Sequence, residues 1–576
     1  MRYHQNSITN VAIGTGAMRG NSGVDNYVFD NIAIGYLALR DARSVSGNRG
    51  FRNVAIGTLA MRDNTTGCRN VAIGRSALQS NTGGNNNFGL GIYSLISNTV
   101  GNDNVALGSN ALCANQTGYY NVAIGSCAMC SHQGGGYNLA IGGLSARSNT
   151  TGRCNIAMGS SALCSNTTGC ANVAIGFRAL RFANAASTSS SGNLAIGAFA
   201  LHCNQTGLFN VGIGNKALYS NVSGCFNVAI GNNTLFCSTF ASDCTNASIA
   251  IGYRALYLSN GNGNMAIGSL SLANNTTGTR NTAVGNLSLC SNTTGINNVG
   301  IGFWALRCNT GGICNVAIGY RSAVNTSTGG SNMAIGPEAL YSNGAGSNNV
   351  AIGRGALRSV NDSCNTAIGT NAAYSVTGQK VVAIGWNALA NAGGNCHVAI
   401  GHNAQSGSTG NVNNTIAVGE GSATSFTTGH TVWGNSGNNV CNCVYAAWSN
   451  VSDCRDKANV RSLPDNLGLE FIKRLRPVAF NWDNRETYAR ECRFKYGQKD
   501  GSLIGTKEHY GLIAQEVKEA LDELGARFDG LGHDELKDAY RMTYEELMAP
   551  MIKGMQELEA MVSHLYVHLG IEYTRQ

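Results

Sequence analysis

The sequence predicts a repeating all-β rod followed by a small α/β domain, and three observations predict it. The block Asn-Val-Ala-Ile-Gly and its close variants recur from Asn10 to Gly419 at nearly constant spacing. Glycine is abundant at 76 of 576 residues, while proline falls to 4 and charged residues to 12%. At Ser452 the composition changes abruptly to a charged, mixed sequence. A chain of this length exceeds one ordinary core, so an array or several domains is required.

The block stands at Asn10–Gly14, Asn53–Gly57, Asn70–Gly74, Asn121–Gly125, Asn172–Gly176 and Asn315–Gly319, with variants such as Asn104–Gly108, Asn155–Gly159 and Asn281–Gly285 between them. Most intervals between closing glycines are 17 residues, several are 16, and four are stretched to 21 or 22 by insertions into loops. Val-x-Ile alternates with the period of a strand, and glycine ends it at a turn. An apolar pair follows, as in Ala77-Leu78, Ala111-Leu112 and Ala162-Leu163, and then a turn such as Asn64–Gly67, Asn166–Gly169 or Asn292–Gly295. Two short strands and two turns are thereby expected in each rung of a parallel β-roll, with about 24 rungs over residues 1–419. One rung cannot bury its apolar face, whereas stacked rungs can. At about 4.8 Å per rung the rod is about 115 Å long. The middle residue of Val-Ala-Ile points away from Val and Ile and is nearly always Ala. A solvent-facing position would vary and be polar, so this second face is expected to pack as well, against neighbouring chains about a threefold axis.

The net charge of +8 is uneven: residues 452–576 carry 18 Lys/Arg against 22 Asp/Glu, and residues 1–451 carry 21 against 9, with Lys216 and Lys380 the only lysines. The Arg bias suits either a solvated face or an acidic partner such as an anionic glycan or a membrane surface. Collagen is excluded by the missing glycine period and scarce proline, and a charged disordered chain by the low charge. No run of eighteen apolar residues occurs, so no membrane insertion is expected. The opening Met1–Asn6 has no apolar signal core, so export by the secretory route is not expected. Twenty cysteines are spread without a compact spacing. Cys127 with Cys130 and Cys441 with Cys443 lack a second ligand pair, so no metal and no cofactor is expected. Cys113 and Cys130 fall on adjacent rungs near disulfide reach, with stacked free thiols the expectation in a reducing cytosol. Asn-x-Thr triplets such as Asn64–Thr66 read as turns, and His509 and His533 as surface residues.

The Asn-x-Val-Ala-Ile-Gly units resemble the head repeats of trimeric autotransporter adhesins across roughly residues 10–420, with a longer repeat here. That resemblance implies a trimeric β-roll. Residues 420–451, with Trp433 and Trp448, read as a β-rich neck. Four blocks then occur in order: Ser452–Val460, Gly468–Phe480 with Trp482, Tyr510–Val517 and Tyr544–Leu558. Together they resemble the intramolecular chaperone domain of endosialidase-type phage tailspikes. The resemblance implies that residues 452–576 hold three chains in register and are then released by self-cleavage. It makes Ser452 the nucleophile, Lys457 the base and Val451–Ser452 the scissile bond, with Asp453, Arg455 and Asn459 in supporting roles. A serine hydroxyl needs a base to take its proton, and lysine serves only when desolvation or a nearby cation lowers its pKa. Met548, Met551, Met555, Leu558, Val562, Leu565 and Leu569 alternate at spacings of three and four, the seam of a coiled coil.

These features point to a homotrimeric fibre or spike on a virion surface, synthesised in a host cytoplasm. Its expected partners are itself, a host-surface receptor or glycan and a virion attachment protein, with no nucleic acid. A glycan-degrading tailspike would need paired carboxylates in a separate catalytic domain, and a bacterial trimeric adhesin would need a signal and an anchor. No enzymatic activity other than autoproteolysis is expected.

Overall fold

The computed structural model describes residues 9–19, 29–41, 50–183, 191–238, 247–406, 413–422, 430–434, 440–443, 460–481, 504, 506, 508–534 and 539–571. The chain divides into two compact units, residues 1–450 and 451–576. The first is a parallel β-solenoid. Twenty-four strands of three residues, from β1 (Val11–Ile13) to β24 (Ile416–Val418), stack in chain order. Equivalent residues pair in register, as in Val71 with Phe88, Ala72 with Gly89 and Ile73 with Leu90. β25 (His430–Trp433) adds parallel to β24, and β26 (Val440–Cys443) returns antiparallel to it.

The orientation of the strands corrects the sequence reading. The middle alanines, among them Ala55, Ala72, Ala106 and Ala123, are fully buried inside the chain's own coil. The flanking Val and Ile are only half-buried and face outward. Gly89 takes the alanine position in β5 (Phe88–Leu90), and a Cβ built there would lie 3.6 Å from Leu78 Cδ1. The strand layer therefore meets the Ala-Leu layer across a thin interior. The position is Ala or Gly throughout β1–β24 because that thin interior leaves little room, not because it touches another chain. The columns left uncovered are those of Val and Ile.

The Ala-Leu stretch is not a second strand. Ala77 and Leu78 are adjacent and both fully buried, whereas a strand sends neighbours to opposite faces. The backbone instead alternates, with Ser76 at φ 56° and Leu78 at φ 50°. Bonding between rungs survives this: the Ser76 N–H donates to the Thr58 carbonyl at 2.9 Å and the Leu78 N–H to the Ser94 carbonyl at 2.9 Å. A left-handed non-glycine residue costs roughly 1–2 kcal/mol, and burying its leucine offsets that by about 1.5–3 kcal/mol. The glycine between the two layers is required twice over. Gly108 has φ 135°, and a Cβ there would lie 2.6 Å from the Gly125 carbonyl oxygen.

Two columns of buried asparagine hold the rungs at fixed pitch. In the first, Asn70 donates to Asn53 Oδ1 from its backbone N–H at 2.9 Å and from Nδ2 at 3.2 Å. Its Nδ2 also reaches the Gly84 carbonyl at 2.8 Å. In the second, Asn81 Nδ2 donates to Asn64 Oδ1 at 2.7 Å and to the same Gly84 carbonyl at 3.0 Å. Each carboxamide is thus met by its counterpart one rung away, as burial demands. Where the counterpart is missing, an acceptor is orphaned. Asn115, Asn166, Asn221, Asn309 and Asn343 each have a buried Oδ1 with no hydrogen-bond partner. One rung on from them stand His132, Ala183, Ser238, Thr326 and Val360.

His132 Nε2 donates to the Gly135 carbonyl at 2.9 Å, and its Nδ1 accepts from Asn149 Nδ2 at 3.2 Å. No donor remains for Asn115. Burial pushes the imidazole below its usual range, against the smaller pull of these bonds.

Two predictions follow from the ladder. Thr326→Asn rejoins the column between Asn309 and Asn343 and satisfies the orphaned Oδ1. It should stabilise the full chain by about 1–2 kcal/mol, read as a raised urea midpoint with unchanged slope. The folded pKa of His132 lies below its unfolded value of about 6.5, so the folded rod binds fewer protons and loses stability as pH falls below that value. His202, held low by burial and then by Arg181 and Arg178, acts in the same direction. The midpoint should drop between about pH 7 and about pH 5, and His132→Asn should shrink the drop. An equal drop in the variant would exclude His132 as its source.

Candidate functional site

The second unit is built around a small core of Leu467, Phe471, Val517, Ala520, Leu521 and Leu547. Helix α1 (Leu469–Arg474) contributes Phe471, and helix α2 (Ala514–Glu523) contributes Val517, Ala520 and Leu521. β27 (Val478–Asn481) pairs antiparallel with β28 (Glu508–Gly511), and β29 (Leu531–Asp534) with β30 (Ala539–Met542). A last helix, α3 (Met548–His568), follows a 3-10 turn at Tyr544–Leu547.

One face of α3 clamps α1. Pro550 and Gly554 are its buried residues. A Cβ on Gly554 would lie 3.3 Å from both Cα and N of Leu469, so the close approach uses the missing side chain. Glu557 Oε2 then accepts the Leu469 N–H at 2.6 Å, satisfying an open donor at the start of α1. Lys553 Nζ bridges Asp465 Oδ1 at 2.8 Å and Glu557 Oε1 at 3.2 Å. Its hydrogen bond and charge hold the Asp465 carboxyl below its usual range.

The other face of α3 is uncovered. Met548, Met551, Met555, Leu558 and Leu565 are at least half exposed, with Met548 and Met555 at 67%, and Val562 is half-buried. At 100° per residue this seam is centred about 90° round the helix from Pro550 and Gly554. Leu569, the last expected seam residue, is the cap following the helix rather than part of it.

Val451, Ser452, Asp453, Lys457, Arg455 and Asn459 lie outside the described residues, as does Trp482. Of the two histidines, His509 stacks on Phe480 with ring centres 5.9 Å apart, and His533 lies 4.3 Å from Tyr540. Fourteen described cysteines are free thiols, whereas Cys225 is disulfide-bonded, so the expectation of free thiols fails at that position. Cys113 Sγ donates to the Cys130 carbonyl at 3.2 Å. The interaction of the two cysteines pushes the Cys113 thiol up and the Cys130 thiol down.

Residues 452–526 match the family model described as chaperone of endosialidase. The C-terminal unit carries a chaperone of endosialidase domain. None of the curated proteins compared matches the chain. The matched span of the chaperone domain includes α1, β27, β28 and α2 and ends before α3. Three of the four sequence blocks fall within it, and Tyr544–Leu558 lies beyond. The sequence marks the Gly554–Glu557 clamp by nothing more than a glycine among good helix formers.

Glu557→Ala should leave the Leu469 N–H unmet and destabilise the chaperone domain by about 1–2 kcal/mol. Hydrogen exchange of α1 amides in the full chain reads this directly, and unchanged protection would show that the clamp contributes nothing.

Proposed function

We propose that the chain forms a homotrimeric fibre whose rods meet along their Val and Ile columns. The observation that carries this reading is the outward apolar column itself. It runs rung after rung along the solenoid, with Ile301 at 37% and Ile400 at 38% exposure, and so long an apolar stripe marks an association surface. The strand edges are already paired within the chain, so association buries side chains rather than completing a sheet. The uncovered seam of α3 supports the same assembly, with three helices closing as a coiled coil. The C-terminal chaperone sets the common register of the three chains. An endosialidase-type chaperone supports placing the fibre on a virion surface, where it meets a host-surface receptor or glycan.

Release of the chaperone follows from Ser452 and Lys457. Lys457, uncharged, takes the Ser452 hydroxyl proton while Oγ attacks the Val451 carbonyl carbon. The Val451–Ser452 amide bond breaks, its nitrogen takes up the proton, and Val451 is left as an ester on Oγ. Water hydrolyses that ester, giving a Val451 carboxylate and a free serine hydroxyl.

Denaturing gels with mass spectrometry test the release. Wild type should yield a fragment of residues 452–576, Ser452→Ala none, and Lys457→Gln should slow cleavage by about 10²–10⁴-fold. Equal intact chains in all three would remove the cleavage. Light scattering should give three chain masses, and a monomer would remove the trimer.

A further inference from the structure

We infer that the outer face of the turn layer, from Trp304 to Ser406, binds an acidic polysaccharide laid along the rod. The inference deepens the fibre reading above and rests on it for the surface left free. A Cβ on Gly300, in the strand layer, would lie 3.3 Å from Leu289 Cδ1, so the two layers meet by their inner faces. The outward side of the turn layer is therefore opposed to the Val and Ile columns, and assembly on those columns leaves it open.

On that side an arginine–aromatic row climbs through successive rungs. The guanidinium of Arg307 lies 4.4 Å from the Trp304 ring centre and that of Arg321 lies 5.0 Å from it. Arg321 and Arg358 lie 5.4 and 4.9 Å from the Tyr341 ring, and Arg358 lies 5.4 Å from Tyr374. Glu338 Oε2 accepts from Arg358 Nε at 3.0 Å, and its other oxygen lies 3.9 Å from Arg321. Stacking and this carboxylate fix the planes of the guanidinium groups before any ligand arrives. Arg307 has no carboxylate partner among the described residues. Arg321 and Arg358 keep 29% and 30% of their side chains exposed. A guanidinium offers only donors, in a fork that fits carboxylate or sulfate oxygens.

The row runs into a groove of about 370 Å³ lined by Tyr374, Asn371, Asn387, Asn391, Asn403 and Ser406. Carboxamides and a hydroxyl around one tyrosine ring match the hydroxyl groups and apolar faces of sugar rings. Acid groups on the arginines and neutral hydroxyls in the groove are the two halves of a linear acidic glycan. Single-stranded nucleic acid fits less well, because base stacking needs open aromatic faces and arginines already lie over Trp304 and Tyr341.

Calorimetry on the full-length protein tests the site, with hyaluronan octasaccharide as the carboxylate probe, heparin octasaccharide as the sulfate probe, and maltooctaose and oligo(dT) as comparisons. At least one acidic glycan should bind, and maltooctaose should bind at least about tenfold more weakly. The double variant Arg307→Gln with Arg358→Gln should lose at least about tenfold, as should Tyr374→Ala, while Arg153→Gln, elsewhere on the rod, should bind as wild type. Which probe wins tells carboxylate from sulfate. Absence of acidic-glycan binding, undiminished binding by the variants, or oligo(dT) binding as tight as the glycan would overturn the inference. Light scattering on the same samples separates the two readings. A trimer that ignores acidic glycans overturns this site alone, whereas a monomer that binds them through Arg307 and Arg358 overturns the fibre alone.

Discussion

A carboxamide buried in the rod loses stability wherever its oxygen or its nitrogen goes unmet, and the partner on offer is the same side chain one rung away. That constraint organises the whole first unit. It fixes the pitch, because Asn70 and Asn53 bond only when their rungs are a strand spacing apart. It fixes the corner, because the Gly84 carbonyl receives donors from both columns. It also explains why insertions are tolerated. Across the stretched interval of 21 residues, the Asn193 N–H still reaches Asn172 Oδ1 at 3.2 Å. Position in space is held, and the length of chain between columns is free to vary.

Much of this was legible in the sequence, for reasons that also explain the failures. The glycine spacing gave the parallel stack because a repeat of this kind buries its apolar face only by stacking. The facing of Val-Ala-Ile was not legible by polarity, since all three residues are apolar and alternation alone does not say which side is inside. Volume was the better guide: two thin layers leave room for Ala72 and Ala106 but not for Val71 and Ile73. The Ala77-Leu78 pair carried a warning against a second strand, since adjacent buried residues contradict a period of two. In the second unit, α3 was visible in its seam. The bond from Glu557 to the Leu469 N–H spans 88 residues and leaves no local pattern. Ser452 and Lys457 are readable only through the blocks around them. Arg307, Arg321 and Arg358 become a row only when each is placed on its rung.

The orphaned Oδ1 atoms show how strictly the column behaves. Each break forfeits a hydrogen bond inside a poorly polarisable interior, worth about 1–3 kcal/mol, yet the rungs on either side keep their pairing. The stack tolerates such losses because each rung contacts only its neighbours, so a local defect stays local. The second column is interrupted at His132, Ala183, Ser238, Ser259, Thr326 and Val360. The first keeps asparagine past His132, Ala183 and Thr326 and is interrupted over that span only at Ser248, which still hands the bonding on, its N–H donating to Asn227 Oδ1 and its Oγ accepting the Asn264 N–H at 3.3 Å. Two columns of unequal perfection divide the work: the more continuous one carries the pitch, and the other admits substitutions.

Uniformity has a consequence at the level of assembly. Within one rod, chain connectivity fixes the order of the rungs. Between rods carrying near-identical Val and Ile columns, nothing local distinguishes one alignment from its neighbour shifted by a rung, because the slip sacrifices contacts only at the ends. On the trimer reading, an element outside the repeats must therefore choose the alignment before the columns close. A domain with its own core and an open helical seam is suited to that choice, since its fold offers one arrangement rather than two dozen. Once the columns have closed, shifting them requires breaking every rung contact together, so the alignment is held by a barrier and no longer by the domain that chose it. On the same reading, the release proposed at Val451–Ser452 would carry no penalty for the fibre, which is the physical reason such a step can follow assembly and cannot usefully precede it.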